Sequence, residues 1–226
     1  MKAMILAAGK GERMRPLTLT TPKPLLIAGD KPLIVHHLER LRAAGFRQLV
    51  INHAWLGNQI EEELGNGAAY GVSIEYSRES EPLETAGGII HALPLLTSDG
   101  DEWFVVINGD IWCDFDPAQL IPPDNADALL VMTSNPDHNP AGDFCLNPDG
   151  TVSVEGPEML TFSGISLLHR RLFDGQLPGP VKLAPILREA MNRGRVMGLH
   201  HTGQWMDIGT PDRLRELDRK LKGGEG

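Results

Sequence analysis

An α/β fold, with a mixed, mostly parallel central sheet flanked by helices, is what the sequence predicts. Three observations point there. Short apolar runs alternate with helical patterns through the first half of the 226 residues, an order that builds parallel sheets covered by helices. One run, 103–108 (Trp-Phe-Val-Val-Ile-Asn), is apolar until its last residue, as a strand buried on both faces requires. A glycine-bearing loop directly follows the first run, at the strand end where open α/β sheets bind ligands.

In chain order, residues 2–8 read as the first strand. Asp30 then reads as an N-cap, with Pro32 in the first turn of a helix whose Ile34, Leu38 and Leu41 share a face. Gly45 stops that helix. A strand at 48–52, a short helix at 56–64, a strand at 72–76 and a helix at 84–96 ending near Pro94 follow. Beyond Asp110 the pattern loosens into strands at 128–133, 144–146 and 164–169. A helix at 183–193, a strand at 196–201 and a charged closing helix at 211–221 complete the chain. No linker or repeat divides it, so one domain over 1–222 is expected, with 223–226 as a flexible tail.

The 21 Lys+Arg against 30 Asp+Glu give a formal net charge of −9. That argues against nucleic acid or an anionic membrane as partner, since both want a broad basic surface. Five cations (Lys2, Lys10, Arg13, Arg15, Lys23) nevertheless fall within residues 1–24 beside a single acid, Glu12. No apolar run approaches the ~20 residues that span a bilayer, and the run at 3–8 is too short for a signal-peptide core. Cys113 and Cys145 are isolated, which favours a reduced, cytoplasmic setting.

The loop after the first strand reads Leu6-Ala7-Ala8-Gly9-Lys10-Gly11-Glu12-Arg13-Met14-Arg15-Pro16-Leu17-Thr18. Its glycines let backbone N–H groups approach phosphate oxygens. The spacing is neither Gly-x-Gly-x-x-Gly nor Gly-x-x-x-x-Gly-Lys-Ser/Thr, which removes the dinucleotide and P-loop readings. Arg13 and Lys23 instead supply fixed positive charge, the first able to chelate phosphate oxygens and the second acting as a point charge. Together with Pro16-Leu17-Thr18 and Pro22-Lys23-Pro24-Leu25-Leu26, the loop resembles the signature of the sugar-1-phosphate nucleotidyltransferases, or nucleoside-diphosphate-sugar pyrophosphorylases. Asn108-Gly109-Asp110 and Asp207-Ile208-Gly209-Thr210-Pro211 are similar to that family's two acid motifs.

The resemblance implies a Rossmann-like (glycosyltransferase-A-like) domain. It implies that Leu6, Ala7, Ala8, Gly9 and Gly11 wrap a nucleoside triphosphate. Arg13, Lys23, Asp110 and Asp207 would be catalytic, the two acids holding Mg²⁺. Glu81-Pro82-Leu83-Glu84-Thr85-Ala86-Gly87-Gly88 is similar to the family's Leu-Gly-Thr-Ala-Gly segment, which implies nucleotide contacts from Thr85, Ala86, Gly87 and Asn108. Glu84 stands where many members have glycine.

On the sugar side, Gly142, Glu155, Ser163 and Gly164 match family positions. Val154-Glu155-Gly156-Pro157, however, resembles a Glu-Lys-Pro element that has lost its lysine to Gly156. The sugar phosphate must then find its counter-charge elsewhere, with Lys182 and Arg15 as candidates.

The implied reaction joins a sugar 1-phosphate to a nucleoside triphosphate, giving a nucleotide sugar and pyrophosphate. Within the family, Pro-Lys-Pro-Leu-Leu, Glu-Thr-Ala-Gly-Gly and Trp-Met-Asp-Ile-Gly-Thr-Pro resemble most the members that couple UTP to N-acetylmuramic acid 1-phosphate in bacterial peptidoglycan recycling. The alternatives are a mannose-1-phosphate guanylyltransferase, another hexose-1-phosphate nucleotidyltransferase, or a non-catalytic nucleotide-sugar sensor.

Overall fold

Alternate residues of each central strand go to opposite faces, and that period of two builds the two main cores of the protein. The structure is a computed structural model that describes residues 1–223; beyond Gly223 the expected tail lies outside the described residues. The strands are β1 (Lys2–Leu6), β2 (Ile27–Ala28), β3 (Lys31–Pro32), β4 (Gln48–His53), β5 (Ser73–Arg78), β6 (Trp103–Asn108), β7 (Ile111–Cys113), β8 (Ala128–Thr133), β9 (Phe144–Leu146), β10 (Val152–Ser153), β11 (Met159–His169), β12 (Val196–His201) and β13 (Trp205–Asp207). The helices are α1 (Leu33–Ala43), α2 (Gly57–Leu64), α3 (Glu84–Leu96), α4 (Leu183–Asn192) and α5 (Pro211–Leu221).

The large sheet runs β10-β9-β11-β6-β1-β4-β5, and β8 joins β11 to β12. β6, β1, β4 and β5 are mutually parallel, whereas β11 is antiparallel to β6. Ala3, Ile5, Leu49, Ile51, Val105 and Ile107 face Ile34, Leu38 and Leu41 of α1 and Ile60 and Leu64 of α2. Met4, Val50, Phe104 and Val106 face Ile89 and Leu96 of α3 and Ile186 and Leu187 of α4. A third, smaller core gathers Met14, Leu26, Ala28, Leu33, Ile208, Leu214 and Leu217. It ties the glycine-rich loop, through Met14, to the segment after Asp207, through Ile208. The mixed α/β architecture expected from the sequence is the one observed. No helix among the described residues is long and apolar enough to cross a membrane.

Several local expectations are corrected. Asp30 does not cap α1. With Gly29 it forms the two-residue turn between β2 and β3, and both residues are left-handed (φ 58° and 68°), as tight hairpin turns demand. Helix α3 spans Glu84–Leu96 as expected, with Pro94 inside its last turn and Leu96 fully buried. Strand β11 begins at Met159, five residues earlier than expected, and bends at a register shift between Phe162 and Ser166. The strands β7 and β13 were not foreseen at all.

At the far edge, Asp127 accepts hydrogen bonds from Arg195 (2.8 and 3.2 Å) and from Arg171. Burial works against its charge, but these bonds prevail and hold its pKa below the ordinary carboxylate value. A depressed acid contributes stability above its ordinary pKa and loses it as pH falls through the lowered one. Asp127→Asn should therefore cost about 1–3 kcal/mol near neutrality, discounted for the half-exposed arginines. It should also flatten the acid limb of stability against pH. Urea unfolding from pH 3 to 7 checks this; an unchanged midpoint at pH 7 would exclude the role.

Candidate active site

A cavity of about 770 Å³ opens at the C-terminal ends of β1, β4 and β6, the edge where parallel sheets gather ligands. Leu6, Ala7, Ala8, Gly9, Lys10, Gly11, Glu12 and Arg13 form one wall. Gly11 has φ +62°, and a Cβ there would stand 2.9 Å from the Thr18 methyl. The Thr18 hydroxyl donates to the Gly11 carbonyl (2.7 Å). Past this turn Met14 is fully buried in the third core while Arg13 stays exposed. Burying one neighbour and freeing the other fixes where the guanidinium starts from. Lys2 is not part of this cationic group. It sits at the opposite end of β1, where its Nζ donates to the Leu95 carbonyl and Ser98 Oγ (2.7 Å each) and pairs with Glu75. Arg15 pairs with Glu12 (3.6 Å), and the cations on the cavity wall are Lys10, Arg13 and Lys23.

The segments that carry the two acids meet, although Asp110 lines the cavity and Asp207 is not among its lining residues. At the end of β6 the Gly109 N–H donates to the Leu6 carbonyl (2.9 Å), an approach so close that a Cβ would lie 2.5 Å from that oxygen. The chain then turns through Asp110 into β7. Strand β13 pairs antiparallel with β7, placing Asp207 opposite Ile111, and the Ile208 N–H donates to the Asp110 carbonyl (2.8 Å). Lys23, its side chain only 10 % exposed, pairs with Asp110 at 2.8 Å. Asp207 Oδ2 accepts from Arg213 Nη1 (2.5 Å) and lies 3.4 Å from His138 Nε2. Burial takes the His37 imidazole beside Ile111 down to about 4, so it adds no positive charge beneath Asp110 at neutral pH.

Two carboxylates, one in the turn before β7 and one ending β13, offer hard oxygen donors of the kind a Mg²⁺ ion bound to phosphates uses. Cys113, Asp114 and His201 also bring their ligand atoms within 4.8 Å of one another. There, however, burial pushes the thiol up to about 11, and His201 already bonds Asp114 at 2.7 Å. Cys113 is a thiol at neutral pH, a poor metal ligand.

The opposite wall holds two residues that sequence reasoning missed. Asn52, at the end of β4, accepts from the Ala7 N–H (2.9 Å) and donates to Glu79 Oε1 (2.7 Å). Glu79 Oε2 in turn accepts from the Leu83 N–H (3.0 Å). This buried relay links the glycine-rich loop to the start of α3. Its signal was position alone: an Asn closing a parallel strand next to the one that carries the loop.

Thr85 and Glu84 line the cavity, as do Asn108, Gly109 and Asp110. Ala86 and Gly87 lie behind the wall. Ala86 is fully buried, and the Gly87 N–H donates to Val181 O (3.0 Å) at a site where a Cβ would meet the Gly179 carbonyl at 2.2 Å. Glu84 has φ +61°, a left-handed conformation that costs a non-glycine residue about 1–2 kcal/mol. That conformation accounts for the glycine usual at this position.

The residues expected to contact the sugar are not among those lining the cavity. Ser163 is fully buried, and its Oγ accepts from the Ile165 N–H (3.2 Å). Gly164 packs against Asn108, where a Cβ would come within 2.7 Å of Nδ2. Gly142 is left-handed (φ +69°) against Asn135 and Leu160, and Glu155 is exposed before β11. Trp205 fastens this side to β13, its Nε1 donating to the Ser163 carbonyl (2.8 Å).

Comparison with known proteins agrees with this geometry. The family model for nucleotidyl transferase matches residues 2–145. The chain is 55 % identical over 225 residues to N-acetylmuramate alpha-1-phosphate uridylyltransferase of Neisseria meningitidis serogroup B, covering 96 % of each chain. It is 32 % identical to the mannose-1-phosphate guanylyltransferase catalytic subunit beta of Drosophila melanogaster, covering 93 % of this chain and 60 % of that longer protein. A crystal structure from Bacillus anthracis, described as a glucose-1-phosphate thymidylyltransferase, shares the fold with a TM-score of 0.84 at 23 % identity, covering 98 % of this chain and 95 % of its own. By family match, close relative and fold together, the chain belongs to the nucleotidyl transferase family and is a sugar-1-phosphate nucleotidyltransferase.

Proposed function

We propose that this enzyme transfers UMP from UTP to N-acetylmuramic acid 1-phosphate, releasing pyrophosphate, as a cytoplasmic step of peptidoglycan recycling. The observation that supports the reading is Asp110 on the cavity wall beside the glycine-rich loop and paired with Lys23, with the segment carrying Asp207 bonded alongside it through the Ile208 N–H and the Asp110 carbonyl. The substrates are taken from the relative that is 55 % identical.

The loop from Leu6 to Gly11 receives the triphosphate, with backbone N–H groups replacing water around the phosphate oxygens. The sugar phosphate oxygen attacks the α-phosphorus in line. One O–P bond forms, the bond between the α-phosphorus and the bridging oxygen breaks, and that oxygen leaves with pyrophosphate. Arg13 neutralises the departing pyrophosphate, and Lys23 the α-phosphate. Asp110 and Asp207 would hold Mg²⁺, which would supply positive charge against the reacting phosphates. Asn52 and Glu79 hold the two nucleotide-facing walls in register. Thr85 faces the base and ribose, and Ala86 and Gly87 support it from behind. Gly142, Glu155, Ser163 and Gly164 shape the sugar side through the β8–β9 loop, the β10–β11 turn and β11.

Initial rates of pyrophosphate release, measured with UTP, GTP, TTP and ATP against a panel of sugar 1-phosphates, test the assignment. UTP with N-acetylmuramic acid 1-phosphate should give the highest kcat/KM. A higher value for GTP with mannose 1-phosphate would replace the reading with the guanylyltransferase alternative.

A further inference from the structure

Lysine at position 156 is not merely missing; it is excluded. An ideal Cβ on Gly156 would lie 2.3 Å from Cys145 Sγ and 2.9 Å from Cys145 Cβ. Cys145 is completely buried in β9, so a side chain at 156 would force the loop off the sheet. The two cations suggested by sequence stand away from the acid at the end of β13: Arg15 is exposed and pairs with Glu12, and Lys182 stands ahead of α4.

Another cation is already at the acid cluster. Arg213 stands in the first turn of α5, its N–H donating to the Thr210 hydroxyl (3.4 Å) at the helix cap. Its Nη1, together with Arg13 Nη1 and Asp207 Oδ1, lies 3.2 Å from the point where a Gly209 Cβ would sit. A glycine there leaves room for both guanidiniums to meet over one carboxylate.

Asp207 adjoins the segments expected on the sugar side. The loop between β8 and β9 is cross-tied to β11: Asn135 donates to the Met159 carbonyl, and Asp143 accepts from the Phe162 N–H (2.8 Å). So anchored, the loop presents His138 within 3.4 Å of Asp207. Trp205, two residues before Asp207, bonds the Ser163 carbonyl from the other side. The β8–β9 loop, β11 and β13 thus meet around Asp207.

We propose that Arg213 is the sugar-phosphate-binding cation of this enzyme, taking the place of the lysine that Cys145 excludes at position 156. A guanidinium carries five N–H donors in a planar fork. One of its nitrogens is engaged by Asp207, which leaves others for phosphate oxygens. The proposal rests on the sugar-1-phosphate reading above, and its test separates the two.

Calorimetric titration of the wild type, Arg213→Ala and Arg213→Lys with N-acetylmuramic acid 1-phosphate, N-acetylglucosamine 1-phosphate and UTP decides it, with turnover followed in parallel and circular dichroism confirming the fold. The loss of charge-assisted bonds should weaken Arg213→Ala for both sugar phosphates by about tenfold or more, with UTP affinity unchanged and partial recovery in Arg213→Lys. Loss confined to N-acetylmuramic acid 1-phosphate would make Arg213 a reader of the lactyl carboxylate and overturn the proposal. Equal loss for UTP, no loss at all, or no sugar-phosphate binding by the wild type would overturn it too. A wild type that binds sugar phosphates without turnover would sink the enzymatic reading, while the affinity ratio between variants would still decide the role of Arg213.

Discussion

Replacing Asp110 with asparagine should lower kcat by at least about a hundredfold while leaving the fold intact. The substitution keeps the shape of the side chain and removes its charge. Two things depend on that charge: the oxygen donors for a divalent ion, and the counter-charge of Lys23, whose side chain is 10 % exposed. The stability cost is limited, because the Asp110 side chain is 41 % exposed and water screens the pair. Steady-state turnover with UTP and sugar 1-phosphate, alongside a thermal melt, separates chemistry from folding. A variant within threefold of the wild type in kcat would remove Asp110 from the reaction.

Arg13→Ala should have an effect of similar size, at least about a hundredfold in kcat, through the other half of the displacement. Arg13 is exposed and its neighbour Met14 carries the anchoring, so the loop should hold its course without the guanidinium. The distinguishing readout is product inhibition. If Arg13 bears on the leaving group, pyrophosphate should inhibit Arg13→Ala far more weakly than the wild type, with the affinity for sugar 1-phosphate preserved. Unchanged pyrophosphate inhibition with reduced kcat would place Arg13 elsewhere in the reaction.

The sheet was legible because its central strands are continuous apolar runs. Residues 103–108, read from composition, are β6 to the residue, and 128–133 and 196–201 are likewise β8 and β12. What escaped was pairing between short segments far apart in the chain. The ribbon of β7 and β13 has three residues in each strand, too few to show a period of two. Yet this ribbon is what brings Asp110 and Asp207 together. Their meeting could be inferred from a family resemblance but not from the residues themselves.

The same distinction holds at finer scale. The basic N-terminal segment was visible as charge, but charge alone did not separate Lys2, tied to the end of α3, from Lys23, tied to Asp110. Asn52 and Glu79 left no motif because they sit on different elements and meet only after β4 and β5 pair. The glycine at 156 showed as a departure from pattern. The buried thiol that forbids a larger residue there is a fact of packing between β9 and the turn after β10. Local chemistry reads out along the chain, whereas excluded volume does not.

Direct transfer of a nucleotide between two phosphates in one cavity fixes the product stoichiometry and forbids a partial exchange reaction. Wild-type enzyme with Mg²⁺, UTP and N-acetylmuramic acid 1-phosphate should form UDP-sugar and pyrophosphate in equal amounts. Without the sugar phosphate, no labelled pyrophosphate should exchange into UTP. Binding of UTP with no pyrophosphate released for any sugar 1-phosphate would contradict the account, and so would exchange in the absence of sugar, which requires a nucleotidylated enzyme.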